Sequence, residues 1–141
     1  LDGKTLKTDL VYLRIAEIWG TNSHCKRMQV GSLIVKNKSI ISDGYNGSPT
    51  GFPNECEDED NVTLTHVLHA EANAITKLAK STQSSDGSTL YVTVSPCLEC
   101  SKLIIQSGIK RLVFKEVYRK PESLQFLFNA GIEVVRIEKT L

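Results

Sequence analysis

Residues 88–117 read "STLYVTVSPCLECSKLIIQSGIKRLVFKEV": a β-branched run, a proline, an amphipathic run and a second β-branched run, in that order. "STLYVTV" has the composition of a strand, "CLECSKLIIQSG" the spacing of a helix and "IKRLVFKEV" the composition of another strand. Strand, helix and strand in succession form a crossover unit, whose two strands pair in parallel. The alternation continues through "PESLQFLFNAG", a helix closed by Gly131, to a last strand, "IEVVRIE". Upstream, "HAEANAITKLAK" reads as a helix with Ala72, Ile75 and Leu78 toward the core. "TDLVYLRIAEIWG" carries Leu10, Leu13, Ile15 and Ile18 at mixed helical spacing, with Thr8 or Asp9 as N-cap and Gly20 as stop. Two short β runs, Val30–Val35 and Ile40–Ile41, are joined by Lys36-Asn37-Lys38 as a hairpin connection. From Gly44 to Thr65 the pattern is irregular, with Pro49, Gly51, Pro53 and an acidic cluster of Glu55, Glu57, Asp58, Glu59 and Asp60. A loop of that length inside a compact domain is usually functional or disordered. The expected class is α/β, with a mainly parallel second half of the sheet.

Composition bounds the chemistry. The 141 residues fit one ordinary domain, and 40% hydrophobic with 23% charged residues is the balance of a globular protein in water. No apolar run approaches a membrane span, and "LDGKTLKTDL" lacks the apolar core of a secretory signal, so a cytoplasmic location and no membrane partner are expected. Four cysteines are too few for a disulfide scaffold; in a reducing compartment they read as thiols or metal ligands. A net charge of +1 advertises no nucleic-acid partner, although a small anion needs only a local cluster.

Pro96 suits a helix start, which puts Cys97 and Cys100 in the first turn after a strand. Residues three apart share a helix face, and the helix N-terminus favours thiolates. Alone, the pair fits a thioredoxin-like redox site, a structural metal clip or coincidence. A second helix start carries His69 and Glu71. His-x-Glu followed by Pro-Cys-x-x-Cys is the signature of zinc nucleobase deaminases. One imidazole and two thiolates fill three tetrahedral positions on zinc and leave the fourth open to water, whose pKa the ion lowers toward neutrality. Glu71, two residues from His69, borders the same space without being a ligand and reads as the proton shuttle. Glu99, between the cysteines, is out of phase with their face and reads as a solvated residue.

Taken together, "GYNGSPTG", "HAEANAI", "LYVTVSPCLEC" and "IIQSGIKRLVF" resemble the deoxycytidylate deaminases of the cytidine deaminase-like superfamily, over about Val30 to Val135. The resemblance implies a three-layer α/β/α fold around a central mixed five-stranded sheet, with residues 1–141 as one deaminase domain. It implies zinc held by His69, Cys97 and Cys100, Glu71 as catalytic acid and base, and hydrolysis of dCMP to dUMP and ammonia. A homohexamer is common in that family, as are activation by dCTP and inhibition by dTTP, each bound with Mg²⁺. Asn46 matches an asparagine that contacts the substrate sugar or a neighbouring nucleotide. Gly44 and Gly47 lie in a loop near the effector nucleotide, and Lys80 matches a basic position there; a solvated helix-end lysine is the alternative. Gly44 and Gly47 would give that loop left-handed or close-approach conformations.

A monophosphate calls for a cation with paired donors. Arg27 leads, followed by Tyr118 and Arg119 at a strand's carboxyl end, where open α/β sheets place ligands. The alternative is two solvated arginines and a packing tyrosine. Some relatives hold a second, structural zinc with Cys and His from the regions where His24, Cys25, Cys56 and His66 lie; one zinc is expected here, with Cys25 and Cys56 as unpaired thiols. Two other classes stay open: deamination of another base, including adenosine in tRNA, and a non-catalytic zinc-binding module.

Overall fold

The computed structural model describes residues 2–118 and 120–141. Five strands, β1 (Gly31–Lys36), β2 (Ser39–Tyr45), β3 (Thr89–Val94), β4 (Arg111–Glu116) and β5 (Glu133–Arg136), form one sheet in the order β2-β1-β3-β4-β5. Strand β1 is antiparallel to both β2 and β3, while β3, β4 and β5 run parallel. The sheet is therefore mixed and its second half parallel, as the strand–helix alternation predicts. The β1–β2 hairpin turns on Asn37 and Lys38, both at positive φ (51° and 63°), the handedness that matches strand twist.

Side-chain alternation builds two cores. Leu33, Val35, Tyr91 and Val113 point to one face, where Leu13 and Ala16 of helix α1 (Gly3–Gly20) cover them. Ile34, Leu90, Val92, Leu112 and Phe114 point to the other. There they meet Ala74 and Leu78 of α2 (Ala70–Leu78), Ile104 of α3 (Leu98–Gln106) and Leu127 of α4 (Glu122–Asn129). The result is the three-layer α/β/α arrangement. No helix among the described residues is long and apolar enough to cross a membrane.

Two boundaries differ from the sequence reading. Helix α1 starts at Gly3, capped by Asp2, whose carboxylate accepts the Thr5 N–H at 2.7 Å. Thr8 is inside the helix, and Asp9 is 1% exposed, accepting two Arg111 N–H bonds (2.9 and 2.7 Å) and the Tyr91 hydroxyl (2.6 Å). Asp9 is thus a buried ion-pair partner rather than a cap. Strand β2 continues past Ile41 to Tyr45; its polar Ser42 is buried because the hydroxyl donates to the Ala74 carbonyl at 2.6 Å.

Candidate active site

Helices α2 and α3 begin side by side. His69 is the N-cap residue of α2 and Cys97 that of α3; Glu71 and Cys100 lie in the first turns. Helix α2 is fixed to the sheet by three polar bonds: Ser32 Oγ to the Ala70 carbonyl (2.8 Å), Ser42 Oγ to that of Ala74, and Asn73 Nδ2 to that of Tyr45 (2.7 Å). The helix also needs Gly44 beneath it. A Cβ there would run into the Ala70 carbonyl oxygen and stand 2.7 Å from the Ala74 nitrogen. Gly44 is therefore a close-approach glycine inside β2. Gly47, by contrast, has open space for a Cβ and no positive φ.

His69 Nδ1 lies 3.4 Å from Cys97 Sγ and 3.4 Å from Cys100 Sγ, and all three donor atoms are within 4.8 Å of one another. Zinc–sulfur bonds of ~2.3 Å and a zinc–nitrogen bond of ~2.0 Å at a tetrahedral angle put nitrogen and sulfur about 3.5 Å apart. The donor set and its spacing therefore fit zinc. Without an ion, the two sulfurs compete for one proton. The Cys97 thiol falls to about 4, chiefly through the hydrogen bond from Cys100 and then that from His69, although burial opposes this. Cys100 moves up, through its hydrogen bond to Cys97 and through burial. His69 also moves up because of its hydrogen bond to Cys97. A dication among these atoms would favour the deprotonated form of both thiols.

Glu71 is 3% exposed, beside this group, and burial pushes its carboxyl up to about 7; His69 and a hydrogen bond with Cys100 pull the other way. The folded chain thus holds this proton more tightly than the unfolded chain. Its contribution to stability is unimpaired below about pH 4.5 and is lost as pH rises toward about 7. In chelated protein, Glu71→Gln should lack that loss. Between pH 5 and 8 the unfolding free energy of the parent falls by ~3 kcal/mol more than that of the variant. Parallel curves in denaturant titrations at the two pH values would show that burial does not hold the proton.

A cavity of about 620 Å³ opens over these residues, a size typical of small-molecule sites. Its wall brings together His69, Glu71, Cys97, Asn46, Arg27 and Tyr118. Tyr118 is placed by its backbone N–H, which donates to Ser95 Oγ at 2.7 Å at the carboxyl end of β3. Arg119 lies outside the described residues. Asn46 also serves the backbone: its Oδ1 accepts the Val30 N–H (2.9 Å) and its Nδ2 donates to the Met28 carbonyl (2.8 Å). One amide hydrogen is then left for a ligand. Lys80 sits elsewhere, in a second cleft of about 460 Å³ with Gly44, Gly47 and Lys77, whose ammonium pairs with Asp43 at 2.5 Å.

The leftover cysteines depart from expectation. Cys25 and Cys56 form a disulfide rather than standing as free thiols, because the segment after α1 packs against the long loop and brings their Cα atoms to 5.1 Å. Neither joins a metal-binding cluster among the described residues, and His66 stacks on Phe52 at 5.3 Å. Glu99 pairs with Lys102 on the exposed face of α3. Sequence reasoning missed Ser95, Glu57 and Thr63. Ser95 adjoins the Pro-Cys motif and was accessible to it; Glu57 and Thr63 act across about thirty residues, with no local signal.

Comparison with known proteins is consistent with this geometry. Residues 6–116 match the model of the cytidine and deoxycytidylate deaminase zinc-binding region. The deoxycytidylate deaminase of Enterobacteria phage T4 is 36% identical, over 90% of this chain and 88% of its own length. ComE operon protein 2 of Bacillus subtilis is 37% identical, over 90% and 69%. The crystal structure of dCMP deaminase from the cyanophage S-TIM5, in complex with dCMP and dUMP, superposes with a TM-score of 0.90 at 43% identity, covering 97% of this chain and 99% of that one. A match over most of the chain, on a shared fold and with the zinc donors assembled, shows that this chain belongs to the cytidine and deoxycytidylate deaminase zinc-binding family.

Proposed function

We propose that the protein hydrolyses dCMP to dUMP and ammonia. The observation that carries this is a single cavity whose wall holds two of the three metal donors, His69 and Cys97, with the buried carboxyl of Glu71 and, with them, Arg27 and Tyr118. The similar cyanophage enzyme was crystallised with dCMP and dUMP. His69, Cys97 and Cys100 would hold the zinc, which when bound would supply the Lewis acidity that makes water a competent nucleophile near neutral pH. Glu71 takes the proton from the attacking water, passes it to the ring nitrogen of cytosine and assists the departure of ammonia. Burial raises the Glu71 carboxyl and a bound zinc ion would lower it, opposing pulls that suit a group that must both accept and release a proton. Arg27 and Tyr118, with Arg119, receive the phosphate, and Asn46 meets the sugar.

The second cleft takes the effector nucleotide, dCTP as activator and dTTP as inhibitor, with Mg²⁺ neutralising its phosphates. Gly44 and Gly47 line it and Lys80 supplies positive charge. The homohexamer and the magnesium rest on the family resemblance, and the cytoplasmic setting on the apolar pattern of the sequence.

The test is turnover by zinc-loaded protein of deoxycytidine, dCMP and dCTP in parallel, with and without dCTP plus Mg²⁺ as effector. Ammonia should form fastest from dCMP, with dUMP as the other product. Arg27→Ala should raise KM for dCMP by ~10-fold or more, the loss of a charge-assisted contact. Equal kcat/KM for nucleoside and monophosphate would reject the phosphate reading, and no response to dCTP would reject the effector reading.

A further inference from the structure

We propose that Glu57 and the Cys25–Cys56 bridge form a positioning clip, which acts through Arg27 to set the preference for a phosphorylated substrate. This rests on Arg27 as the phosphate contact.

Three consecutive residues, Cys25, Lys26 and Arg27, are each fastened to the long loop. Cys25 is tied covalently to Cys56. The next residue of the loop, Glu57, turns its carboxylate onto the backbone of the following two: Lys26 N–H donates to Oε1 and Oε2 at 3.3 and 3.1 Å, and Arg27 N–H to Oε2 at 3.1 Å. The Arg27 guanidinium then donates from Nη1 to Thr63 Oγ1 at 3.4 Å. Thr63 is itself the antiparallel bridge partner of Glu57. Cys25, Arg27, Glu57 and Thr63 all line the cavity that holds His69 and Glu71.

The charge of Glu57 sharpens the point. A carboxylate on the wall of an anion site keeps its negative charge when it accepts from neutral N–H groups, so its place there calls for a positioning benefit that outweighs the repulsion. Here two backbone N–H groups occupy it, so its contribution is to orient Arg27 rather than to meet substrate. Arg27 is otherwise on an exposed segment with no helix or strand to hold it, and a long side chain gains affinity when its geometry is fixed before binding. The bridge anchors one side of that segment and the carboxylate the other.

The test is steady-state kinetics of Glu57→Gln, Cys56→Ser, Arg27→Ala and the Glu57→Gln/Arg27→Ala pair, with zinc content measured for each. Glu57→Gln and Cys56→Ser should each raise KM for dCMP by ~5- to 10-fold with kcat within about twofold, lowering the dCMP to deoxycytidine ratio of kcat/KM. In the Arg27→Ala background the Glu57→Gln effect should vanish, because the clip has nothing left to position. Full additivity would overturn the proposal, as would a fall in kcat with KM unchanged. If Arg27→Ala raises KM but neither clip variant does, the clip alone fails; if Arg27→Ala leaves KM unchanged, the phosphate reading fails and the clip with it. Loss of one zinc equivalent in Cys56→Ser would show a metal site in place of the bridge and overturn the proposal. Glu57→Gln keeps the test decisive should the cysteine variant fail to fold.

Discussion

Glu71→Gln lowers kcat for dCMP by about 10²- to 10⁴-fold, while zinc content, fold and KM stay close to those of the parent. The substitution keeps the shape of the side chain and removes only its ability to take and return a proton. Glu71 lies outside the cluster of His69, Cys97 and Cys100, so the metal donors are unaffected. The site is also spared a burial penalty, because a neutral amide replaces a carboxyl whose ionisation burial already opposes. Activity and stability therefore part: the variant is inactive but no less stable at pH 8. Release of dUMP and ammonia, measured beside zinc content and thermal unfolding, checks all three. Turnover at the parent rate would remove Glu71 from the proton path and turn attention to a non-catalytic metal module.

The contrast between what the sequence disclosed and what it hid follows from the range of the interactions. The clustering of the candidate metal donors was legible because each half of the motif is local: His69 with Glu71, and Pro96 with Cys97 and Cys100, each open a helix. The crossover order was legible for the same reason, since hydrophobic runs change period where β3, α3 and β4 meet. Asp9 misled because an acid near a helix start has a common local explanation, and its real partners, Tyr91 and Arg111, are 82 and 102 residues away. Ile15 and Ile18, placed only at mixed helical spacing by the sequence, are 37% and 55% exposed, while Ala16 is fully buried. Beside Leu13, the helix packs through its small residues Ala16 and Gly20, where β1 comes close. The Cys25–Cys56 bridge, 31 residues apart, left no local mark, and the expectation of a reducing environment argued against it.

That small-residue face gives the largest expected change in stability. Gly31→Ala should destabilise the protein by ~3 kcal/mol or more, lowering Tm by about 10 °C. The helix ends at Gly20, as the sequence reads, but not through a left-handed glycine: Thr21 is in the right-handed helical region and Gly20 is not at positive φ. The glycine is there because β1 crosses the helix at backbone distance. A Cβ on Gly20 would stand 2.8 Å from Gly31 N; one on Gly31 would run into the Ala16 carbonyl oxygen and lie 2.7 Å from Gly20 N. These obstacles are backbone atoms, which no rotamer change can move, so α1 must lift off the sheet or β1 must shift. Either response uncovers Leu13, Leu33 and Tyr91, and disturbs the segment joining the two elements, which carries Cys25 and Arg27. Binding should suffer with stability: in the surviving folded fraction, KM for dCMP rises. Gly3→Ala supplies the opposite case on the same helix, since a Cβ there meets nothing within 4 Å, and it should hold or slightly raise Tm. Denaturant unfolding of the two variants decides the matter. A Gly31→Ala protein as stable as the parent would mean that the helix can move away from β1 at little cost, and that close backbone packing is not what fixes α1 on the sheet.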